Sequence, residues 1–389
     1  MTEAAKQFLF LLKTHVNNET IPDGYHFDIG RVFSLAKIHN VLPMVYDAAA
    51  KSAENVSFFR NEVVMSVGHQ MIKNNAFRFL YNNIKTSGID IIVVKGPVCS
   101  SCYNNPDYRL SSDFDIVVKK SQKESLERYL CENDFQKKGE SFYNPVNGLY
   151  IEVSTELGEG NNDLKNIADD AFEGFFDRII LVDGYSTLDI TDHFVYLIYH
   201  AYKHFIESGF GIRQIIDILL FAKKYKLDID IDLALEMLKK AGAYTFACNV
   251  FCLIESVFDF CFDLFDFKAD ESILCLDGFA EDVLSAGVFG KSSEDRLHSA
   301  TLVTAAVSGE EKSGLIKTAF PSYKVMKARY SVLKYLPVLL PVIWLFRLIQ
   351  YIFKVISKNN NVSPLKTVEI ANSRIDLMRK MGIINKQSD

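Results

Sequence analysis

Three short runs between residues 89 and 157 constrain the fold most: IDIIVVKG (89–96), LSSDFDIVV (110–118) and GLYIEVSTEL (148–157). The first is β-branched and closed by Gly, and the third alternates cleanly. All three read as strands. Their surroundings read as helix. FLFLL and RVFSLAKIHNVLPMVYDAAA place apolar residues at helical spacing, and residues 60–85 form one long helix ending near Gly88. SQKESLERYLCENDF (121–135) reads as a helix with Ser121 as its N-cap and Glu124 three residues on. From Asp192 the pattern is almost wholly helical. ITDHFVYLIYHAYKHFIESG opens at a Thr/Asp cap and stops at Gly209, and FGIRQIIDILLFAKKYK follows. Strand, connection, strand, helix and strand make an α/β unit of about 70 residues. The expected divisions are a helical segment at 1–85, an α/β core at 86–190, a helical domain at 191–310 and a basic helical tail at 311–389.

The strands carry acids where sheets seldom place them. Side chains two apart on a strand share a face, with Cα atoms roughly 6.5–7 Å apart. Asp113 and Asp115 therefore lean the same way, while Phe114, Ile116 and Val118 take the buried face. In the third strand Leu149, Ile151 and Val153 face inward and Tyr150, Glu152 and Ser154 face outward. A bare carboxylate pair repels itself. A hard divalent ion removes that repulsion, since Mg²⁺ favours carboxylate oxygens and keeps phosphate ligands. Glu152 is placed to complete the set. Two Mg²⁺ ions about 3.5–4 Å apart can activate an attacking hydroxyl and stabilise a leaving pyrophosphate. The competing reading is an edge strand whose solvated acids prevent sheet-to-sheet pairing.

Neighbouring residues favour phosphate chemistry. Lys95-Gly96 closes the first strand, where Gly lets backbone N–H groups approach a phosphate and Lys adds a charge. Arg109 lies four residues before Asp113, and Ser112 directly before it. Both are candidate phosphate ligands. His200 and His204 share one helical face. They read either as core or interface histidines or, with Arg213, as a helical lid touching phosphate or acceptor. No HExxH pattern supports zinc. Asp217 stands four residues after Arg213 and is expected to pair with it.

VVKGPVCSSCYNNPDYRLSSDFDIVV resembles the signature of the uncharacterised nucleotidyltransferase family of the polymerase-beta-like superfamily. The matching positions are Lys95, Gly96, Tyr103, Pro106, Arg109, Ser112, Asp113 and Asp115. His200, Lys203, His204, Arg213 and Asp217 resemble its helical segment, and IHNVLPMVYDAA and AFPSYKVMKARYSVLKYLPVLLPVIWLFRLI its two ends. The resemblance covers most of the chain. It implies an α+β fold with a small mixed-sheet core flanked by N-terminal helices and a C-terminal helical domain. It also implies Mg²⁺, an NTP substrate, and transfer of a nucleoside monophosphate to an acceptor hydroxyl with release of pyrophosphate. Asp113, Asp115 and Glu152 would be the catalytic, metal-binding acids. Ser154 stands where the family often has His. The alternative is a catalytically inactive nucleotide- or partner-binding module on the same fold, peripheral to a membrane through residues 335–354.

Charge and composition bound the partners. The net charge of −6 and the lack of a basic stripe near the acids give no nucleic-acid signature. Residues 317–389 hold 13 Lys and Arg against 3 Asp and Glu, which suits an acidic partner, an anionic membrane or the protein's own acidic surface. YLPVLLPVIWLFRLIQY (335–351) is interrupted by Pro337, Pro341 and Arg347. It reads as a helix docked in a groove of the protein, or as an interfacial helix, rather than as a span. Seven irregularly spaced cysteines argue against a disulfide framework, and Cys99-Ser-Ser-Cys102 lacks a second pair. MTEAAKQFLFLLKTH lacks a basic n-region, so a cytoplasmic location is expected.

Overall fold

The computed structural model describes residues 1–158, 162–207, 209–262, 274–287, 294–307 and 364–384, with scattered positions between 323 and 346. Four helices come first: α1 (Glu3–Asn17), α2 (Ile29–Ile38), α3 (Leu42–Ala49) and the long α4 (Arg60–Thr86). The central region holds β1 (Ile91–Val94), the short α5 (Gly96–Ser100), β2 (Phe114–Val118), α6 (Lys123–Glu132), β3 (Gln136–Lys138), β4 (Ser141–Tyr143) and β5 (Tyr150–Ser154). Next come α7 (Asn162–Ala171) and the hairpin β6 (Ile179–Val182) and β7 (Tyr185–Leu188). Helices follow: α8 (Ile190–Glu207), α9 (Ile212–Lys224), α10 (Ile231–Lys240), α11 (Tyr244–Phe258), α12 (Leu276–Ala286), α13 (Glu294–Val307) and, late in the chain, α14 (Pro364–Lys380).

The main sheet runs β1-β2-β5-β4-β3. Only β2 and β5 pair in parallel, and the other neighbours are antiparallel. The fold is therefore α+β with a small mixed sheet, as the resemblance implies. The β3–β4 hairpin has no counterpart in the sequence reading. Gln136, Lys137 and Lys138 are all exposed and show no apolar alternation. This edge strand, guarded by lysines, resists adding another strand.

The two faces of the sheet meet different surroundings. Ile91, Val93, Phe114, Ile116, Val118, Ile151 and Val153 pack under α4 and α6. Phe77 of α4 stacks on Phe114 with ring centroids 4.2 Å apart. On the other face, Ile92, Val94 and Val117 join a larger core built from α1–α3 and α8–α12. The N-terminal helices and the later helical region thus share one core. Arg374 of α14 is buried and lies 3.5 Å from Asp282, so part of the basic tail meets the protein's own acids.

Two helix starts differ from expectation. Gln122, not Ser121, precedes α6, because a 3-10 turn at Lys120–Gln122 occupies the expected cap. At α8 the cap is Asp189: its Oδ1 accepts from the N–H groups of Thr191 and Asp192, at 3.0 and 3.1 Å. Asp192 instead binds Arg178 through both carboxylate oxygens. Of the apolar segment 335–354, residues 335, 345 and 347–354 lie outside the described residues. Ile343 packs with Met326 and Leu333 in a small separate cluster, while Leu336, Val338, Val342 and Phe346 are exposed. No helix among the described residues is long and apolar enough to cross a membrane.

Two buried polar ties hold the helical region, one to the loop before β2 and one within itself. The first is a triad. Arg109 donates from Nε to Asp217 Oδ1 (2.8 Å) and from Nη2 to Oδ2 (2.9 Å), and Tyr103 donates to Oδ1 (2.7 Å). Arg109 and Asp217 are each about 5% exposed. Asp217 thus has Arg109 as its bidentate partner rather than the Arg213 that helical spacing suggests. Arg213 donates to the Leu110 carbonyl. Burial opposes the Arg109 charge, but Asp217 more than offsets it and moves the guanidinium pKa upward. The second tie is His39. Its Nε2 donates to the Leu284 carbonyl at 3.1 Å, and its Nδ1 accepts from Ile212 N–H at 3.4 Å. Gly211 admits this approach, since a Cβ there would stand 2.8 Å from His39 Nδ1 and 2.5 Å from the Gly287 carbonyl oxygen.

Both ties give measurable expectations. Asp217→Asn leaves a buried guanidinium without its counter-ion and is expected to cost about 3–5 kcal/mol of unfolding free energy. Urea denaturation measures this, and a loss within about 1 kcal/mol would mean the pair is not a structural tie. Burial lowers the His39 pKa from 6.5 to about 4. As pH falls through 6.5 the unfolded chain gains this proton, while the folded chain gains it only near 4. Stability from this group is therefore intact above pH 6.5 and is lost on acidification across that window. Stability of His39→Gln is expected to depend less steeply on pH there, and equal slopes would contradict the assignment.

Candidate functional site

The sheet face opposite α4 changes character along its width. Near β1 and β7 it is covered by apolar side chains. Toward β5 and β4 it opens into a cleft of about 590 Å³ whose other wall is α8 and α9. Register puts the acids on its floor. Asp115 and Glu152 are direct partners across the parallel β2–β5 pair, and Phe114 and Ile151 are partners on the buried side. Asp113 lies one residue ahead of β2 and lines the same cleft. It is half-buried, Asp115 likewise, and Glu152 is exposed.

Basic groups surround these acids. Lys95 Nζ is 3.0 Å from Asp115 Oδ1 and 3.0 Å from His200 Nε2. His200 Nε2 in turn lies 2.9 Å from His204 Nε2. Arg213 and Lys203 line the helical wall. Burial and the nearby Arg109 push the Arg213 pKa down, which Asp217 and Asp113 partly offset. Lys73 reaches the Ser111 carbonyl at 2.8 Å, its pKa lowered by burial and partly restored by Asp113. Removing these cations from water beside carboxylates is tolerable only while both signs are present.

Lys95 is held in place by its backbone. Its φ of 58° and ψ of −119° are a conformation that glycine favours, and holding Lys there costs about 1–3 kcal/mol. A buried chain of hydrogen bonds maintains it. Thr187 Oγ1 donates to the Val93 carbonyl (2.7 Å), so it accepts from His193 Nδ1 (3.1 Å), which leaves His193 Nε2 to accept from Lys95 N–H (3.2 Å). The imidazole is thus neutral, and burial followed by the charges of Lys95 and Arg109 depresses its pKa to about 3.

Lys95, Arg109, Ser112, Asp113, Asp115, Glu152, His200, His204 and Arg213 all line the cleft. Gly96 does not share this role. It is buried behind Lys95 at φ +27°, with Phe114 Cδ1 3.5 Å from where its Cβ would be. Arg109 reaches the cleft wall with its Nε and Nη2 already bound to Asp217. Ser154 points its hydroxyl into the turn after β5, where it accepts from Glu156 N–H and donates to the Glu156 carbonyl. Tyr143, Tyr150 and Glu207 also line the cleft but were not singled out from the sequence. Period-two alternation from Glu152 places Tyr150 on this face. Tyr143 needed the unforeseen β4, where it is the register partner of Tyr150.

The donor chemistry suits a hard divalent cation: carboxylate oxygens on adjacent strands, open to solvent on one side. The acids do not gather into a finished site, however. Among the described residues no three His, Cys, Asp or Glu side chains form a metal-holding group. Cys99 and Cys102 are no exception, since burial raises both thiol pKa values, Cys102 to about 11. A hollow of about 870 Å³ between α12 and α14 is a weaker candidate. Its buried Asp282 is paired with Arg296 at 2.8 Å and flanked by Arg374, so its one inner carboxylate is already engaged by two guanidinium groups.

No curated protein and no solved structure matches the chain. A family model described as "Uncharacterised nucleotidyltransferase" matches residues 25–259, which include every cleft residue named above. With that match across most of the chain, and a mixed sheet carrying acids at its open face, the protein belongs to this nucleotidyltransferase family.

Proposed function

We propose that the protein moves a nucleoside monophosphate from an NTP to an acceptor hydroxyl and releases pyrophosphate, with Mg²⁺ held by Asp113, Asp115 and Glu152. The observation that carries this reading is the pairing of Asp115 with Glu152 across β2 and β5, with Asp113 beside them in the same cleft. Bound Mg²⁺ would neutralise triphosphate charge and make the acceptor hydroxyl easier to deprotonate. The chain's own groups do the rest. Arg213, Lys203 and His204 face the acids from the helical wall and supply donors for phosphate oxygens. Ser112, exposed beside Asp113, offers a further hydroxyl donor. Glu152 is the most open of the three acids and lies nearest the paired Tyr143 and Tyr150. The acceptor enters from that side, opposite the phosphate-binding wall, as an in-line displacement requires.

Pyrophosphate release from each NTP, in the presence of mixed hydroxyl acceptors and Mg²⁺, tests the reading. Asp113→Asn and Asp115→Asn are each expected to reduce it by about 100-fold or more. Mg²⁺-dependent NTP binding without turnover would favour the inactive binding module, and nucleotide binding unaffected by either substitution would contradict the assignment of the acids.

A further inference from the structure

The long helix α4 keeps two faces apart. Val63, Gln70, Phe77, Leu80, Tyr81 and Ile84 are buried. On the opposite face Val64, Met65, Met71, Ile72 and Phe79 are 49–70% exposed, as is Phe58 just before the helix. A contiguous apolar strip open to solvent marks an interaction surface. Its order identifies the partner. Counting outward from Gly68, Met65 and Met71 lie three residues to either side, Val64 and Ile72 four, and Asn61 and Asn75 seven. Offsets of three, four and seven share one helical face, so this face reads the same in both directions.

A surface that meets a second copy across a two-fold axis must be its own complement. An antiparallel helix pair centred on Gly68 meets that condition. Met65 then faces the partner's Met71, Val64 the partner's Ile72, and Asn61 the partner's Asn75. Phe58 faces the partner's Arg78, which sets a guanidinium against an aromatic ring. Arg60, Glu62 and Lys73 fall level with the partner's Ala76, Asn74 and Val63, so no two like charges meet. Gly68 is an independent indication. Glycine inside a helix weakens it relative to alanine, and the chain itself does not call for one here. No atom of the described residues lies within 4 Å of where its Cβ would stand. On the axis of the pair, its bare backbone lets the two helices approach closely. Area agrees. At these exposures the six apolar side chains present roughly 650 Å² per chain, and the flanking asparagines and arginine bring the contact toward the about 800 Å² per partner of a standard interface.

We propose that α4 is a self-association surface, pairing antiparallel with α4 of a second copy across a two-fold axis at Gly68. The inference is independent of the nucleotidyltransferase reading. The cleft opens on the sheet face opposite α4, so the pairing leaves both clefts open on the outer sides of the dimer.

Sedimentation velocity of the full chain over a wide concentration range tests the proposal. Wild type is expected to show a monomer–dimer equilibrium. Met65→Glu acts twice across the axis and is expected to raise the dimer dissociation constant by about 100-fold or more. Gly68→Leu fills the axis while improving helix propensity. It is expected to lose the dimer with its far-ultraviolet circular dichroism unchanged, which separates the effect from unfolding. Oxidation reads the direction of pairing. Gly68→Cys, on the axis, is expected to give a disulfide-linked dimer beyond the wild-type background. Phe79→Cys, roughly 30 Å from its counterpart along the pair, is expected to give none. A monomer at every concentration would overturn the proposal and leave the strip to another occupant, such as the chain's own apolar segment 335–354. A dimer indifferent to Met65→Glu and Gly68→Leu would place the contact elsewhere and overturn it too. Cross-linking through Phe79→Cys would overturn the antiparallel register.

Discussion

The register between β2 and β5 is the constraint on which the rest depends. It aligns Phe114 with Ile151 on the buried face and Asp115 with Glu152 on the open one. Slipping one strand by a single residue would drive a carboxylate under α4, against Phe77, and turn an apolar side chain into the cleft. Burial of Phe114, Ile151, Ile116 and Val153 therefore does two jobs. It supplies much of the smaller core, and it holds two acids side by side where their mutual repulsion would otherwise separate them. The site is a by-product of core packing in this sense: the pleat that hides one set of side chains presents the other.

Repulsion among the acids is answered from the helical side. α8 and α9 bring His200, His204, Lys203 and Arg213 over the sheet, and their position is set by ties that lie deeper than the cleft. Arg109, Asp217 and Tyr103 lock α9 to the loop before β2, and His193 locks the first turn of α8 to the end of β1. Both ties are almost fully enclosed, so solvent does not loosen them. The same enclosure makes each dependent on its partner, since a buried guanidinium or imidazole without its acceptor is strongly unfavourable.

Much of this was legible in the sequence, and the limits follow from physics. Period-two alternation in DFDIVV and YIEVS was enough to place Asp113, Asp115 and Glu152 on one face and Phe114, Ile116, Val118, Ile151 and Val153 on the other. The end of α4 at Thr86, just before Gly88, was readable from the helix-stop signal. Local spacing could not see long-range pairing. Arg109 and Asp217 are 108 residues apart, so the i,i+4 neighbour Arg213 was the natural but mistaken partner. The β3 edge strand gave no signal, because its exposed lysines block further strand pairing rather than bury apolar surface, and with it went the position of Tyr143. A turn glycine after β1 was legible, but its burial behind Lys95, with Phe114 Cδ1 3.5 Å from where a Cβ would stand, was not.

Under the proposed function the nucleotide binds on the open face of β2 and β5. The most direct measurement is a crystal structure with Mn²⁺ and a non-hydrolysable NTP, with data collected at the manganese edge. We expect anomalous density among the carboxylates of Asp113, Asp115 and Glu152, with the triphosphate running toward Arg213 and Lys203. Nucleotide bound elsewhere, or a cleft that closes on neither metal nor phosphate, would contradict the role given to these acids.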